Sequence, residues 1–102
     1  KLIAKYIRKG IQKSLLFNSF AVEMPDNSMS PDIYKGELIL IEPMTNISPK
    51  HFSAYITNGE ISVGTERANG TLLHSNDLYP PTKIKPESIL AGRVRLRLSK
   101  HF

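Results

Sequence analysis

The chain has 102 residues, enough for one hydrophobic core and therefore for a single domain. It contains no cysteine, which excludes a disulfide framework and a thiolate metal site, and we expect neither a metal nor a cofactor. The net charge of +5 comes from residues 1–20, which hold five of the 14 basic residues and no acid. The other nine bases are balanced by nine acids, which argues against a nucleic-acid-binding role for the whole domain.

Residues 1–19 are expected to form an arm that precedes a globular part, residues 20–102. Apolar side chains follow one another at helical spacing in the arm, which predicts a short helix that Gly10 interrupts. Either this apolar stripe packs on the domain and the lysines are solvated, or the basic arm contacts DNA phosphates or a partner. Because the chain begins with Lys1, we expect it to be a domain excised from a longer protein. No apolar run approaches the roughly 18 residues that a membrane span needs, and no contact with a membrane is expected.

The globular part is organised around a serine at the end of its first strand. Residues 20–24 alternate between apolar and other side chains, as in a half-buried strand. Residues 25–27, Pro-Asp-Asn, favour a turn and place Ser28 on a bend where a hydroxyl is held and accessible. Residues 34–37 form a second turn, and residues 38–41 form a short apolar strand.

The rest of the chain consists of short segments with strand character, separated by turn residues. We expect strands over residues 52–56, 61–66, 71–74 and 89–98, with a proline-rich loop over residues 75–85. Asn58-Gly59 and Asn69-Gly70 are typical of hairpin turns. Many short strands joined in this way indicate a mostly β domain.

The serine segment resembles the C-terminal domain of LexA and the lambdoid CI repressors, and the mutagenesis protein UmuD is similar. The motif consists of Ser28-Met29-x-Pro31, then Gly36-Glu37, four apolar residues and Pro43. Two later segments match the family in order, one around Asn76 and Tyr79, which we interpret as structural, and one around Gly92. The resemblance covers about residues 20–98 and implies a LexA/CI-like β fold. In that family the serine is the nucleophile of a Ser-Lys dyad that cleaves the repressor's own chain.

The residue that corresponds to the family's catalytic lysine is a glycine. The relatives read approximately Gly-Glu-x-Thr-x-Lys along the returning strand, whereas this chain ends the same segment, residues 59–64, with Gly64. A serine hydroxyl is a poor nucleophile unless an adjacent base takes its proton, and glycine offers none. Asp26 also stands where the family usually has glycine, and an acid beside Ser28 disfavours a developing oxyanion. We therefore expect a retained peptidase scaffold without activity, in which Ser28 is vestigial.

Other bases are weaker alternatives. Four lysines lie in predicted turns or loops, where burial sufficient to neutralise an amine is not expected: Lys35, Lys50, Lys83 and Lys85. His51 and His74 are two further candidate bases, and His74 is the better placed, on the strand after Gly64. A histidine on a strand is more often structural. An engineered lysine-to-glycine replacement at residue 64 is a further explanation that the sequence leaves open.

The last strand alternates arginines with apolar residues. Val94, Leu96 and Leu98 are expected on one face, and Arg93, Arg95 and Arg97 on the other. The arginines either discourage edge-to-edge aggregation or form a recognition surface for a second subunit or an acidic partner. Our interface prediction comprises Arg93, Arg95, Arg97, Val94 and Leu96.

The resemblance implies an oligomerisation and regulatory domain of a phage or prophage transcriptional repressor, acting in the cytoplasm of the bacterial host. A homodimer or higher homo-oligomer would place two upstream helix-turn-helix domains on DNA. Without the lysine, control by a protein antirepressor is expected in place of self-cleavage. Two alternatives stay open: an active self-cleaving repressor that uses another base, and a relative of the type I signal peptidases, which would call for a membrane anchor.

Overall fold

The computed structural model describes residues 18–98, which form seven β strands and no helix. The strands are β1 (Phe20–Glu23), β2 (Leu38–Glu42), β3 (Ser53–Thr57), β4 (Glu60–Glu66), β5 (Thr71–Leu73), β6 (Thr82–Lys83) and β7 (Ile89–Leu98). The mostly β class is thereby confirmed, while the predicted helical arm lies outside the described residues. In this part of the chain no helix is long and apolar enough to cross a membrane.

The strands form one antiparallel arrangement in the order β1-β2-β7-β3-β4-β5-β6. The ten-residue strand β7 joins the two halves, because it pairs with β2 on one side and β3 on the other. Its pairing with β3 ends at Arg93, followed by one hydrogen bond from Val94 N–H to Phe52 O (2.9 Å), while its pairing with β2 continues to Leu98. Strand β7 therefore extends past the start of β3.

The predicted turns are present, and local residue chemistry explains them. Asn58 and Gly59 both have positive φ angles (53° and 81°), the backbone of a type I′ hairpin turn between β3 and β4. Gly70 (φ 81°) closes the hairpin between β4 and β5. The loop expected over residues 75–85 contains β6, which the sequence did not indicate because a two-residue strand has no period to detect. Tyr79, which we interpret as structural from the sequence, is 36% exposed.

The main core lies between one face of the sheet and the segment that connects β1 to β2. It is formed by fully buried side chains: Met24, Met29, Ile33, Ile39, Ile41, Ala54 and Val63. Three of them belong to the connecting segment and flank Ser28 in the sequence. Burial of these side chains, at about 1.5–3 kcal/mol each, fixes the serine segment against the sheet.

The expected two-sided pattern of β7 is wrong, because a β-bulge interrupts it. Leu40 pairs with Leu96 and the adjacent Ile41 pairs with Val94, so Arg95 is an extra residue on β7. Adjacent residues of β2 face opposite sides of the sheet, and directly paired residues share a side. Val94 accordingly packs on the main core, whereas Leu96 and Leu98 pack around Leu40 on the other face.

The backbone of β7 passes close to the end of β2 at Gly92. Its φ of 151° falls in a region that side-chain-bearing residues rarely adopt. A Cβ atom there would lie 2.2 Å from the carbonyl oxygen of Glu42. Glycine is therefore required where β7 passes the end of β2.

Candidate functional site

The segment that carries Ser28 is held at both ends by the strands it connects. Met24 N–H donates to Glu37 O and Gly36 N–H donates to Met24 O, both at 2.8 Å, which extends the β1–β2 pairing. Ile33 N–H donates to Met29 O at 2.9 Å, so residues 29–33 form a tight turn, with Met29 and Ile33 in the core. Ser28 itself is 5% exposed. Ser28 is thus held in place as expected, but it is buried, whereas an accessible hydroxyl was expected.

Asn76, from the loop after β5, forms hydrogen bonds to residues 27–30, the turn that contains Ser28 and is called the serine turn below. Its backbone N–H donates to Ser28 O (2.9 Å), and its side-chain Nδ2 donates to Asn27 O (2.9 Å) and to Ser30 Oγ (3.2 Å). Its Oδ1 accepts from Leu78 N–H (3.0 Å), which caps the local turn. The structural interpretation of Asn76 is supported, and its contact with the serine turn could not be read from the motif alone.

The side chain of Asp26 accepts a hydrogen bond from the backbone N–H of Ser28. The Ser28 N–H donates to Asp26 Oδ1 at 3.0 Å, the contact of an Asx turn. In serine peptidases the N–H of the nucleophile is commonly one of the groups that stabilise the oxyanion. Here that N–H is engaged by a carboxylate, which would repel an oxyanion at the same place.

No base is hydrogen-bonded to the serine hydroxyl within residues 18–98: none of the hydrogen bonds that these residues form involves Ser28 Oγ. The lysines of this part of the chain, Lys35, Lys50, Lys83 and Lys85, are all exposed. His51 is half-buried and lies beside β7. The exposure of the lysines agrees with the expectation from their loop positions.

His74 is committed to structural contacts through both ring nitrogens. It is 8% exposed, with Nδ1 at 2.8 Å from Val63 O and Nε2 at 2.7 Å from Thr82 Oγ1. A carbonyl oxygen can only accept, so Nδ1 is the donor, and in the neutral ring Nε2 accepts the threonine proton. The basic nitrogen therefore faces Thr82 on β6, and the ring ties β4 to β6.

Gly64 lies where β4 leaves β3 to pair with β5. It pairs with Ser53, while the next residue, Thr65, pairs with Leu73. A Cβ atom on Gly64 would lie 2.7 Å from Leu73 O and 3.1 Å from Leu72 Cβ. Strand β5 therefore occupies the space that a side chain at residue 64 would need. A larger residue would require the β5 backbone to move.

The two apolar residues of the predicted interface pack on opposite faces of the sheet. Val94 packs on the main core, and Leu96 packs on the opposite face of the sheet. Arg95 Nε lies 3.5 Å from Glu42 Oε1, and Arg97 Nη1 lies 3.1 Å from Glu37 Oε2. Among the described residues Arg93 forms no salt bridge, and its Nε is shielded from solvent without a hydrogen-bond partner.

Sequence reasoning missed the role of Glu37. Its Oε1 accepts from Tyr34 N–H at 2.8 Å, and its Oε2 binds Arg97, so one buried carboxylate joins the turn before β2 to the end of β7. The Gly36-Glu37 motif marked the turn but not this contact, because the partner lies 60 residues away.

Comparison with known proteins gives one family. The family model described as Peptidase S24-like matches residues 7–95, well over half of the chain. No significant match was found among curated proteins. The match begins inside the predicted arm and includes Ser28, Gly64 and most of β7.

Proposed function

Because the chain belongs to the Peptidase S24-like family, to which the C-terminal domains of LexA-type repressors also belong, we propose that it is a regulatory and oligomerisation domain that no longer cleaves itself. The proposal places it in a phage or prophage transcriptional repressor, with a helix-turn-helix domain upstream. Its dimer would bring two such domains onto one operator, so operator affinity would depend on this domain without a base contact. A protein antirepressor would then provide the control that cleavage provides in active relatives.

The observation that carries the loss of cleavage is the set of groups around Ser28. Its hydroxyl has no base within hydrogen-bond distance in the described part of the chain, and the best-placed histidine, His74, is bonded at both nitrogens. Its N–H is bonded to Asp26. A Ser-Lys mechanism needs a neutral amine beside the hydroxyl and a free donor for the oxyanion. The lack of a base bonded to Ser28 Oγ and the bond from Ser28 N–H to Asp26 support the proposal that this site does not meet those needs.

The packing around Gly64 favours a natural glycine at this position over an engineered replacement of lysine. A deleted lysine side chain would leave space, whereas Leu73 O lies 2.7 Å from the position of a Cβ. The absence of a side chain at Gly64 thus allows β4 and β5 to pack closely. The same closeness means that a lysine at residue 64 needs room before it can reach Ser28.

The test is the intact mass of the full-length protein after incubation at alkaline pH. High pH deprotonates lysine and favours any latent Ser-Lys cleavage. We expect the unaltered protein to stay whole and Asp26→Gly/Gly64→Lys to cleave, with Ser28→Ala in that background abolishing cleavage. The single variant Gly64→Lys is expected to cleave more slowly, because Asp26 still occupies the Ser28 N–H.

Cleavage of the unaltered protein that disappears in Ser28→Ala would refute the proposal and establish an active peptidase with another base. The oligomerisation half is tested separately by sedimentation velocity over micromolar concentrations. A monomer throughout that range would refute it.

A further inference from the structure

The second half of β7 has a free edge on the side of β3. Pairing with β3 ends at Arg93, and Phe52 O accepts the last hydrogen bond, from Val94 N–H. Beyond this point, no strand among residues 18–98 pairs with that edge, although β2 covers the opposite edge to Leu98. Alternate residues of an antiparallel strand direct their N–H and C=O groups to one edge. About half of the backbone groups of residues 95–98 therefore face this free edge, which is suited to an added strand.

A cleft of about 280 Å³ runs along the free edge. Its walls come from residues 32–33 of the serine segment and residues 50–52 before β3, and residues 93–97 of β7 complete it. Ile33, Phe52 and Leu96 contribute apolar surface. The volume is too small for a drug-sized ligand but accommodates one or two side chains of an extended peptide.

The side chains that line the cleft carry an excess of positive charge. Four cationic side chains line it, Lys50, Arg93, Arg95 and Arg97, against a single carboxylate, Asp32. Arg95 and Arg97 have glutamate partners in the domain, whereas neither Lys50 nor Arg93 forms a salt bridge within residues 18–98. Arg93 Nε is moreover shielded from solvent with no acceptor. A buried donor without a partner is costly, so the Arg93 guanidinium would gain by turning towards an incoming carboxylate.

From the free edge, the cleft and its charge together, we propose that the cleft beside residues 93–97 binds an extended acidic peptide segment of another protein by strand addition to β7. The backbone of the segment pairs with the free edge, and its carboxylates meet Lys50 and Arg93. A second copy of β7 fits this edge less well. Self-pairing centred on Leu96 would place Arg95 and Arg97 of one strand opposite Arg97 and Arg95 of the other, and like charges directly opposite destabilise a strand pair.

This inference does not depend on the loss of cleavage, since peptide binding is measured on the unaltered chain at neutral pH. The probe is a short fluorescein-labelled peptide in which glutamate alternates with valine, titrated and followed by fluorescence anisotropy. We expect saturable binding that weakens with salt, and at least about tenfold weaker binding when lysine replaces every glutamate. A peptide methylated at alternate backbone nitrogens keeps the charges but cannot pair as a strand, and it is expected to bind at least about tenfold more weakly.

Arg93→Gln and Lys50→Gln are expected to weaken binding of the glutamate peptide by about tenfold each. The matched control is Arg67→Gln, which removes the same charge from an exposed arginine outside this cleft and should leave affinity unchanged. If Arg67→Gln weakened binding as much as Arg93→Gln, the effect would come from net charge alone and the proposal would be wrong. Unchanged binding of the N-methylated peptide would also overturn it. If Arg93→Gln instead converts a dimer to a monomer in sedimentation velocity, the edge is occupied by a second copy and the proposal is wrong.

Discussion

Substitutions at Asn76 test whether its side chain holds the serine turn or only caps its own loop. The substitution removes the two Nδ2 hydrogen bonds to Asn27 O and Ser30 Oγ, and the Oδ1 bond from Leu78 N–H. The bond to Ser30 Oγ is partly buried and is worth about 0.5–1.5 kcal/mol. The bonds to Asn27 O and from Leu78 N–H are exposed, so water can largely replace them. We expect Asn76→Ala to lower the free energy of unfolding by about 1 kcal/mol.

The assay is urea unfolding with Asn69→Ala as the matched control. Asn69 makes one exposed side-chain bond, to Thr71 Oγ1 at 2.7 Å, and its replacement should cost less than about 0.5 kcal/mol. Asn76→Asp provides the discriminating comparison, because it keeps the acceptor for Leu78 N–H and loses both donors to the serine turn. It should destabilise at least as much as Asn76→Ala. If Asn76→Asp is harmless, or Asn76→Ala costs no more than Asn69→Ala, the serine turn is not held in the way described.

Two further predictions concern the sheet. Gly92→Ala should lower the free energy of unfolding by more than about 3 kcal/mol or prevent folding, since it adds backbone strain and a clash with Glu42 O. In the same urea assay Gly59→Ala should cost only about 1–2 kcal/mol, because its added Cβ meets no atom within 4 Å. Equal costs for the two variants would contradict the close approach at Gly92. Burial raises the pKa of Tyr55 to about 12, and the hydrogen bond and charge of Glu66 add to the rise. The pKa of the unfolded tyrosine is about 10, so the stability that Tyr55 contributes is fully present below that pH. It falls as the pH rises towards 12, because in this window only the unfolded state has lost the proton. Tyr55→Phe should make the urea midpoint less sensitive to pH in this window, and an unchanged slope would refute the assignment.

The Tyr55 titration also bears on the cleavage experiment. Incubation below about pH 10 keeps this source of stability intact. Loss of intact mass under those conditions would then report self-cleavage and not chemistry on unfolded chains.

The sequence was sufficient wherever structure depends on neighbouring residues. Asn58-Gly59 forms its turn because both residues tolerate positive φ angles, and the alternating or fully apolar runs become strands with nearly the expected bounds. The motif around Ser28 identified the family, and the family model confirms it. The position of the missing base rests on the same motif comparison and stays a prediction.

Tertiary structure decided what depends on residues far apart in the chain. The bulge at Arg95 arises from the register of β7 on β2, and it moves Val94 and Leu96 to opposite faces although their spacing predicted one. The bond between Asn76 and Asn27 and the free edge of β7 likewise require the packed sheet. A local sequence pattern shows the period of a strand. The register of a strand, its close contacts and the pairing of its edges depend on which strand lies beside it, and residues far apart in the sequence decide this.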